Sequence, residues 1–175
     1  MTFLEMAEKR FSVRRFDGRE VSQEVIDRIL EAAKAAPSGH NAQSSRILVL
    51  KRREDLERLK ECTPCHYHAP LAFVISFDKT TCWQREIDGA VSGPIDASIV
   101  GTHMLFEAYE QGVGSCWVMG FNPMLLKQIF HMPDSLEPVL ILVCGYPSTD
   151  VRPSSRHASR LPVEVFTTYD DYKKE

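Results

Sequence analysis

The stretch IDASIVGTHMLFEAYEQ, residues 95–111, followed by GVGSCWVMG, residues 112–120, decides the fold. Ala97, Ile99, Val100, Met104, Leu105 and Ala108 occupy much of a helical circumference, with polar residues scattered among them. A helix that is apolar nearly all round is buried, in a domain centre or a subunit interface. Gly112 is well placed to end it, because glycine adopts the left-handed geometry of a helix terminus without steric cost. Residues 115–119 are then apolar and β-prone between Gly114 and Gly120. A buried helix that stops and re-emerges as a strand implies a sheet beside it.

Residues 139–144, VLILVC, are nearly continuously apolar, as in a central strand covered on both faces. Residues 71–77, entered through Ala69-Pro70, form a second strand, and 46–50 a shorter third. Toward the N-terminus, Thr2 and Glu5 have capping-box spacing and start a helix that stops near Phe11. Ser22 caps a second helix carrying Val25, Ile26, Ile29, Leu30 and Ala33, broken by Pro37, Ser38 and Gly39. Residues 55–60 read as a short surface helix, and 79–94 as a polar loop containing Trp83 and Asp88. Asn122-Pro123 begins a further helix running to His131. The tail from Pro147 is polar, basic at Arg152, Arg156 and Arg160, and weakly periodic. Helices and central strands mixed along one chain favour an α+β, three-layer domain.

With 175 residues, the chain fits one compact domain and needs neither disulfides nor a structural metal. It is too short for a dinucleotide-binding domain plus a substrate domain, so a redox enzyme of this size either works within one domain or completes its site with a second subunit. A net charge of −3 excludes a dominant nucleic-acid or anionic-membrane footprint but leaves a local anion site open. No segment approaches a membrane-spanning apolar run, and no signal-peptide core is present. Five unevenly spaced cysteines read as the reduced thiols of a cytoplasmic protein.

Several segments carry chemistry. Arg10-x-Ser12-x-Arg14 offers two planar guanidinium forks and a hydroxyl, suited to a phosphate, although a solvated basic helix end has the same pattern. Residues 37–43, PSGHNAQ, place amides that donate and accept after a helix, as a heteroaromatic ring edge requires; an ordinary capped loop reads alike. Cys62-x-x-Cys65-His66-Tyr67-His68 invites a metal or thiol-redox reading, but no second pair completes a zinc pattern and Pro64 does not suit a redox helix start. Residues 112–117 lack the G-x-G-x-x-G order, and no P-loop or nucleophile elbow occurs. His103 and Glu107 are four apart and expected to pair; with Asp88 they form no persuasive hydrolytic set. Trp83, Trp117 and Tyr109 read as core or interface aromatics.

Three of these landmarks in order, residues 10–16, 36–43 and 112–120, resemble the nitroreductase-like flavoprotein family. The preceding long helix and the Gly145-Tyr146-Pro147 ending of the last strong strand match as well, so the resemblance covers roughly residues 3–166. It implies an α+β, three-layer sandwich around a mainly antiparallel sheet. It also implies a homodimer, with FMN held in two sites at the subunit interface. Each 175-residue chain is then one domain, with the tail from about 147 reaching toward partner or cofactor.

By the same resemblance, Arg10 and Arg14, assisted by Ser12, would bind the flavin phosphate, joined by Arg160, with Arg156 its nearest rival. Pro37, Ser38 and Asn41, with Gln43 as a further candidate, would line the isoalloxazine and ribityl region, Asn41 from the partner. Backbone N–H groups of Met119 and Gly120 would approach the flavin ring edge. The implied activity is ping-pong transfer from NADH or NADPH to a small acceptor such as a nitroaromatic or quinone, with no catalytic side chain and no metal. Two departures stand out. Residues 79–94 are shorter than the insertion that covers the flavin in larger members, and Ser44-Ser45 replaces a Pro-Trp-like pair. The short segment motivates an alternative, a protein that stores, senses or delivers FMN; the Cys62–His68 cluster motivates another, a metal enzyme or hydrolase.

Overall fold

Four antiparallel strands in the order β1-β2-β4-β3 form the centre of the molecule, as seen in a computed structural model that describes residues 1–172. The strands are β1 (Ser45–Leu50), β2 (Leu71–Asp78), β3 (Gly114–Val118) and β4 (Leu136–Gly145). β2 and β4 are the inner strands, covered by helices on both faces, which is why residues 71–75 and 139–144 are apolar without interruption. The pleat sends alternate residues to opposite faces. Leu71, Phe73 and Ile75 of β2 join Leu140, Leu142 and Cys144 of β4 in one core, while Ala72 and Val74 join Ile141 and Val143 in the other.

The first core is closed by α2 (Gln23–Ala35), through Ile26, Ile29 and Ala33, and by α4 (Gly93–Glu110), through Ala97, Val100, Met104, Leu105 and Ala108. The second is closed by α3 (Arg53–Cys62), through Leu59 and Cys62, and by α5 (Pro123–Ile129), through Leu126. Helices on both faces of an antiparallel sheet make the expected α+β three-layer sandwich. Phe73 is fully buried at the sheet centre. Phe73→Ala is therefore expected to cost roughly 3–5 kcal/mol of unfolding free energy, lost transfer energy plus a cavity, measurable by urea denaturation.

The caps were local enough to read from sequence. Thr2 accepts from the Glu5 N–H and Glu5 reaches back to the Thr2 N–H, closing the capping box of α1 (Phe3–Lys9). Ser22 and Asn122 accept from Val25 and Leu125 at the starts of α2 and α5. Gly112 sits at φ 72° after α4, where a Cβ would be strained.

Several expectations need correction. The helix placed at 55–60 runs from Arg53 to Cys62, and it is more than a surface helix, since Asp55, Leu59 and Cys62 are buried. α4 begins at Gly93 rather than Ile95, because Pro94 fits the first turn, where its missing N–H has no helical partner to lose. The 79–94 loop contains an isolated bridge between Gln84 and Val91. α5 stops at Ile129, and His131 adopts φ 50°. His103 and Glu107 do not pair: His103 Nδ1 meets the Ile99 carbonyl at 2.9 Å, and Glu107 accepts from Gln111 at 2.7 Å. The tail adds a short helix, α6 (Val163–Phe166).

Candidate functional site

Residues 10–14 run as extended chain beside β3. The Val13 N–H donates to the Ser115 carbonyl at 2.9 Å, and Ser12 forms a parallel bridge with Ser115. Val13 is buried and fills the space left by Gly114, where a Cβ would lie 2.6 Å from Val13 Cγ2. Anchoring Val13 inward leaves Ser12 and Arg14 on the other side of the extended chain. There Arg10, Ser12 and Arg14 line a cleft of about 180 Å³ with Phe11, Ser154, Arg156, His157 and Arg160.

The tail supplies the other wall. His157 Nε2 donates to the Glu8 carbonyl at 2.8 Å, tying the tail to the end of α1. Arg160 donates to the Arg156 and Ser159 carbonyls, so both tail arginines belong to the cleft. Among the described residues, no carboxylate forms an ion pair with Arg10, Arg14, Arg156 or Arg160. Burial holds the Arg10 guanidinium below its ordinary value, and the neighbouring Arg160 charge lowers it further. Four guanidinium groups gathered without a carboxylate make a cleft that favours an anion, and their planar forks match phosphate oxygens. Tyr67 stands behind it: the Arg14 Cζ lies 6.0 Å from its ring centroid, and a hydrogen bond with Cys65 and burial hold its phenol above the ordinary value.

The 37–43 loop is a second, separate group. His40, Asn41 and Gln43 all adopt left-handed backbone geometry, at φ 51°, 55° and 49°. The loop is pinned from inside: the Gly39 N–H donates to Asp96 Oδ1 at 2.9 Å, and the Ser92 hydroxyl donates to Oδ2 of the same carboxylate at 2.7 Å. The Gln43 N–H donates to Ser38 Oγ at 3.1 Å. Asn41 and Gln43 are thereby held exposed beside Pro37. Ser38 and Gln43 line another cleft of about 250 Å³ with Leu30, Ala33, Ala36 and Ile47.

Met119 and Gly120 form the third group, exposed just after β3. Thr63 donates from its hydroxyl to the Gly120 carbonyl at 2.6 Å, and the Asn122 N–H donates to the Cys62 carbonyl at 2.8 Å. The cleft lined by Arg10, Arg14 and Arg160 includes none of Pro37, Ser38, Asn41, Gln43, Met119 or Gly120. Within one chain, the expected site residues therefore fall into three groups.

The Cys62–His68 segment has other work. Cys62 is the last residue of α3, buried in the second core, and burial raises its thiol pKa. His66 Nδ1 accepts from the His68 N–H at 3.0 Å. All five cysteines are free thiols. Among the described residues, no group of three or more Cys, His, Asp or Glu is arranged to hold a metal ion, and no helix is long and apolar enough to cross a membrane. Asp88 pairs with Arg85. Asp96, Ser154 and His157 were not identifiable as site residues from sequence; each reaches its place through a tertiary contact with no local spacing rule.

The fold is an α+β sandwich with an arginine-lined cleft at a strand edge. The profile of the Nitroreductase family matches residues 7–65 and 62–146, and the chain belongs to that family. A nitroreductase family protein from Clostridium difficile 630 has a solved structure with 38% identity and a TM-score of 0.93, covering 98% of this chain and 100% of that one. The FMN-dependent nitroreductase of Clostridium difficile R20291 superposes with a TM-score of 0.74 at 25% identity, over 91% of this chain and 98% of that one. The FMN reductase [NAD(P)H] of Bacillus subtilis is 26% identical over 179 residues, 92% of this chain and 70% of the relative. Family membership implies FMN-dependent oxidoreductase chemistry with NAD(P)H.

Proposed function

We propose that this protein is a homodimeric FMN-dependent oxidoreductase that takes reducing equivalents from NADH or NADPH and passes them, in ping-pong order, to a small acceptor of the nitroaromatic or quinone class. The observation that carries the reading is the cleft of Arg10, Arg14, Arg156 and Arg160, none ion-paired to a carboxylate among the described residues, whose donor set fits the phosphate of FMN. When bound, FMN supplies the hydride and electron transfer.

The residues position and polarise. Arg10 and Arg14 bind the phosphate, with Ser12 adding a hydroxyl and Arg160 and Arg156 closing the cleft from the tail. Pro37, Ser38, Asn41 and Gln43 serve the ring and ribityl chain. The Met119 and Gly120 N–H groups face the ring edge where negative charge develops, a role for fixed dipoles that needs no side-chain acid or base. The separation of the site into three groups within one chain supports a shared site, in which the 37–43 loop of one copy completes the cleft of the other. Each chain, 1–175, serves as one such domain, its tail from about 147 directed toward cofactor and partner. The free thiols suit a cytoplasmic setting.

Size-exclusion chromatography with light scattering, followed by FMN titration, tests this reading. The expected result is a dimer taking up one FMN per chain. A protein that remains flavin-free in excess FMN, under reducing and non-denaturing conditions, contradicts it.

A further inference from the structure

We propose that the stacked rings of His40 and Trp83 form a docking platform for a flat, electron-poor ring, the class of molecule that exchanges electrons at the flavin; the redox half of this inference rests on the function proposed above. The two rings lie 4.9 Å apart at an interplanar angle of 9°. The sequence suggested a core or interface role for Trp83, yet neither ring belongs to either hydrophobic core, and His40 is exposed. The stack is therefore not a by-product of core burial.

It is nevertheless firmly built. His40 is held at φ 51°, a conformation that non-glycine residues adopt only when their surroundings impose it. One network imposes it from both sides. The Ser92 N–H donates to the Trp83 carbonyl at 2.8 Å, and the Ser92 hydroxyl donates to Asp96, which accepts the Gly39 N–H. Asp96 is only 2% exposed, so this network is shielded from water. Gly39 leaves no slack, since a Cβ there would lie 3.0 Å from Ser92 Cβ and 3.6 Å from Trp83 Cε3. The strand-like segment bearing Trp83 and the loop bearing His40 are thus fixed against each other. Strain supported by a buried network, around a stack of one exposed and one half-buried ring, is the pattern of a ligand platform.

The chemistry narrows the ligand. An exposed imidazole backed by an electron-rich indole stacks best on a flat ring of low electron density, in an offset arrangement. Nicotinamide, quinone and nitroaromatic rings share that property. His40 is flanked by Ser38 and Asn41, which the proposed function assigns to the flavin ring region, so a ring seated here borders the site of electron transfer.

Tryptophan fluorescence, titrated separately with menadione and with NAD+, tests the platform. The expected result is a saturable quench that is absent in Trp83→Phe. His40→Gly suits the left-handed backbone, so it removes the ring without disturbing the loop, and it is expected to weaken the quench affinity about 3- to 10-fold. His40→Tyr restores a flat ring and is expected to recover most of the affinity. Saturation by menadione alone assigns the platform to the acceptor, and saturation by NAD+ alone assigns it to the donor. Saturation by neither, a quench of unchanged size in Trp83→Phe, or equal affinities in wild type and His40→Gly, overturns it. The quench is read independently of FMN uptake: a protein that shows it but takes up no FMN keeps the platform and loses the oxidoreductase reading.

Discussion

Arg10→Ala is expected to bind FMN on the order of 10- to 100-fold more weakly than the native protein, while its affinity for riboflavin, which lacks the phosphate, changes little. The size follows from the loss of charge-assisted hydrogen bonds worth roughly 1.5–3 kcal/mol to a charged group. Arg10 is the best-placed guanidinium for this effect. It is half-buried in the cleft, where its charge is less screened than on the exposed Arg14, Arg156 and Arg160. Burial and Arg160 disfavour its charge within the cleft, so a bound dianion relieves a repulsion as well as adding contacts. Arg10→Lys keeps the charge but loses the fork, and is expected to recover only part of the affinity. Fluorescence titration of FMN and riboflavin in parallel provides the measurement, and equal loss for both flavins would argue against a phosphate contact.

Gly114→Val is expected to damage stability and cofactor binding together. The native glycine lets Val13 pack into β3, with Val13 Cγ2 2.6 Å and Val13 Cβ 2.9 Å from where a Cβ would stand. Val13 is 2% exposed, and Pro147 Cγ would stand 3.0 Å from the same Cβ, so a branched side chain is crowded from two sides. A branched side chain must push the 10–14 segment off the strand, breaking the bond from Val13 N–H to Ser115 and tilting Arg10 and Arg14 out of the cleft. Overpacking of this kind costs about 1–3 kcal/mol. Denaturant unfolding together with FMN titration should show both losses, whereas a surface substitution such as Glu31→Ala should show neither.

The sheet was legible in the sequence because burial on two faces leaves a simple mark. Residues 71–75 of β2 and 139–144 of β4 are apolar without a break, as strands covered on both faces are. Caps were legible because Thr2, Ser22 and Asn122 act on N–H groups three residues away. The ends of α3 and α4 were not, since Cys62 is helical by virtue of the core it joins, and Gly93-Pro94 reads as a break until the first turn is seen to accept it. A Cβ at Gly93 would lie 2.0 Å from Phe77 Cδ2, so that glycine marks close packing of α4 on β2 rather than a loop.

The site divided along the same line. Arg10, Ser12 and Arg14 sit two residues apart on an extended chain, a spacing that sequence displays directly. The convergence of Arg156 and Arg160 on them depends on His157 holding the tail to Glu8, nearly the whole chain length away. Asp96 looked like one more polar residue on a buried helix; its task, holding Gly39, exists only in three dimensions. The His40–Trp83 stack was hidden for the same reason, its rings being 43 positions apart (83 − 40).

Anaerobic mixing of the FMN-loaded protein with NADH, and separately with NADPH, tests the central claim most directly. The account predicts that the flavin absorbance near 450 nm bleaches on the timescale of turnover with at least one donor and returns when a quinone is added. A protein that binds FMN in its arginine cleft but is bleached by neither donor would contradict the oxidoreductase reading and leave a carrier or store of FMN.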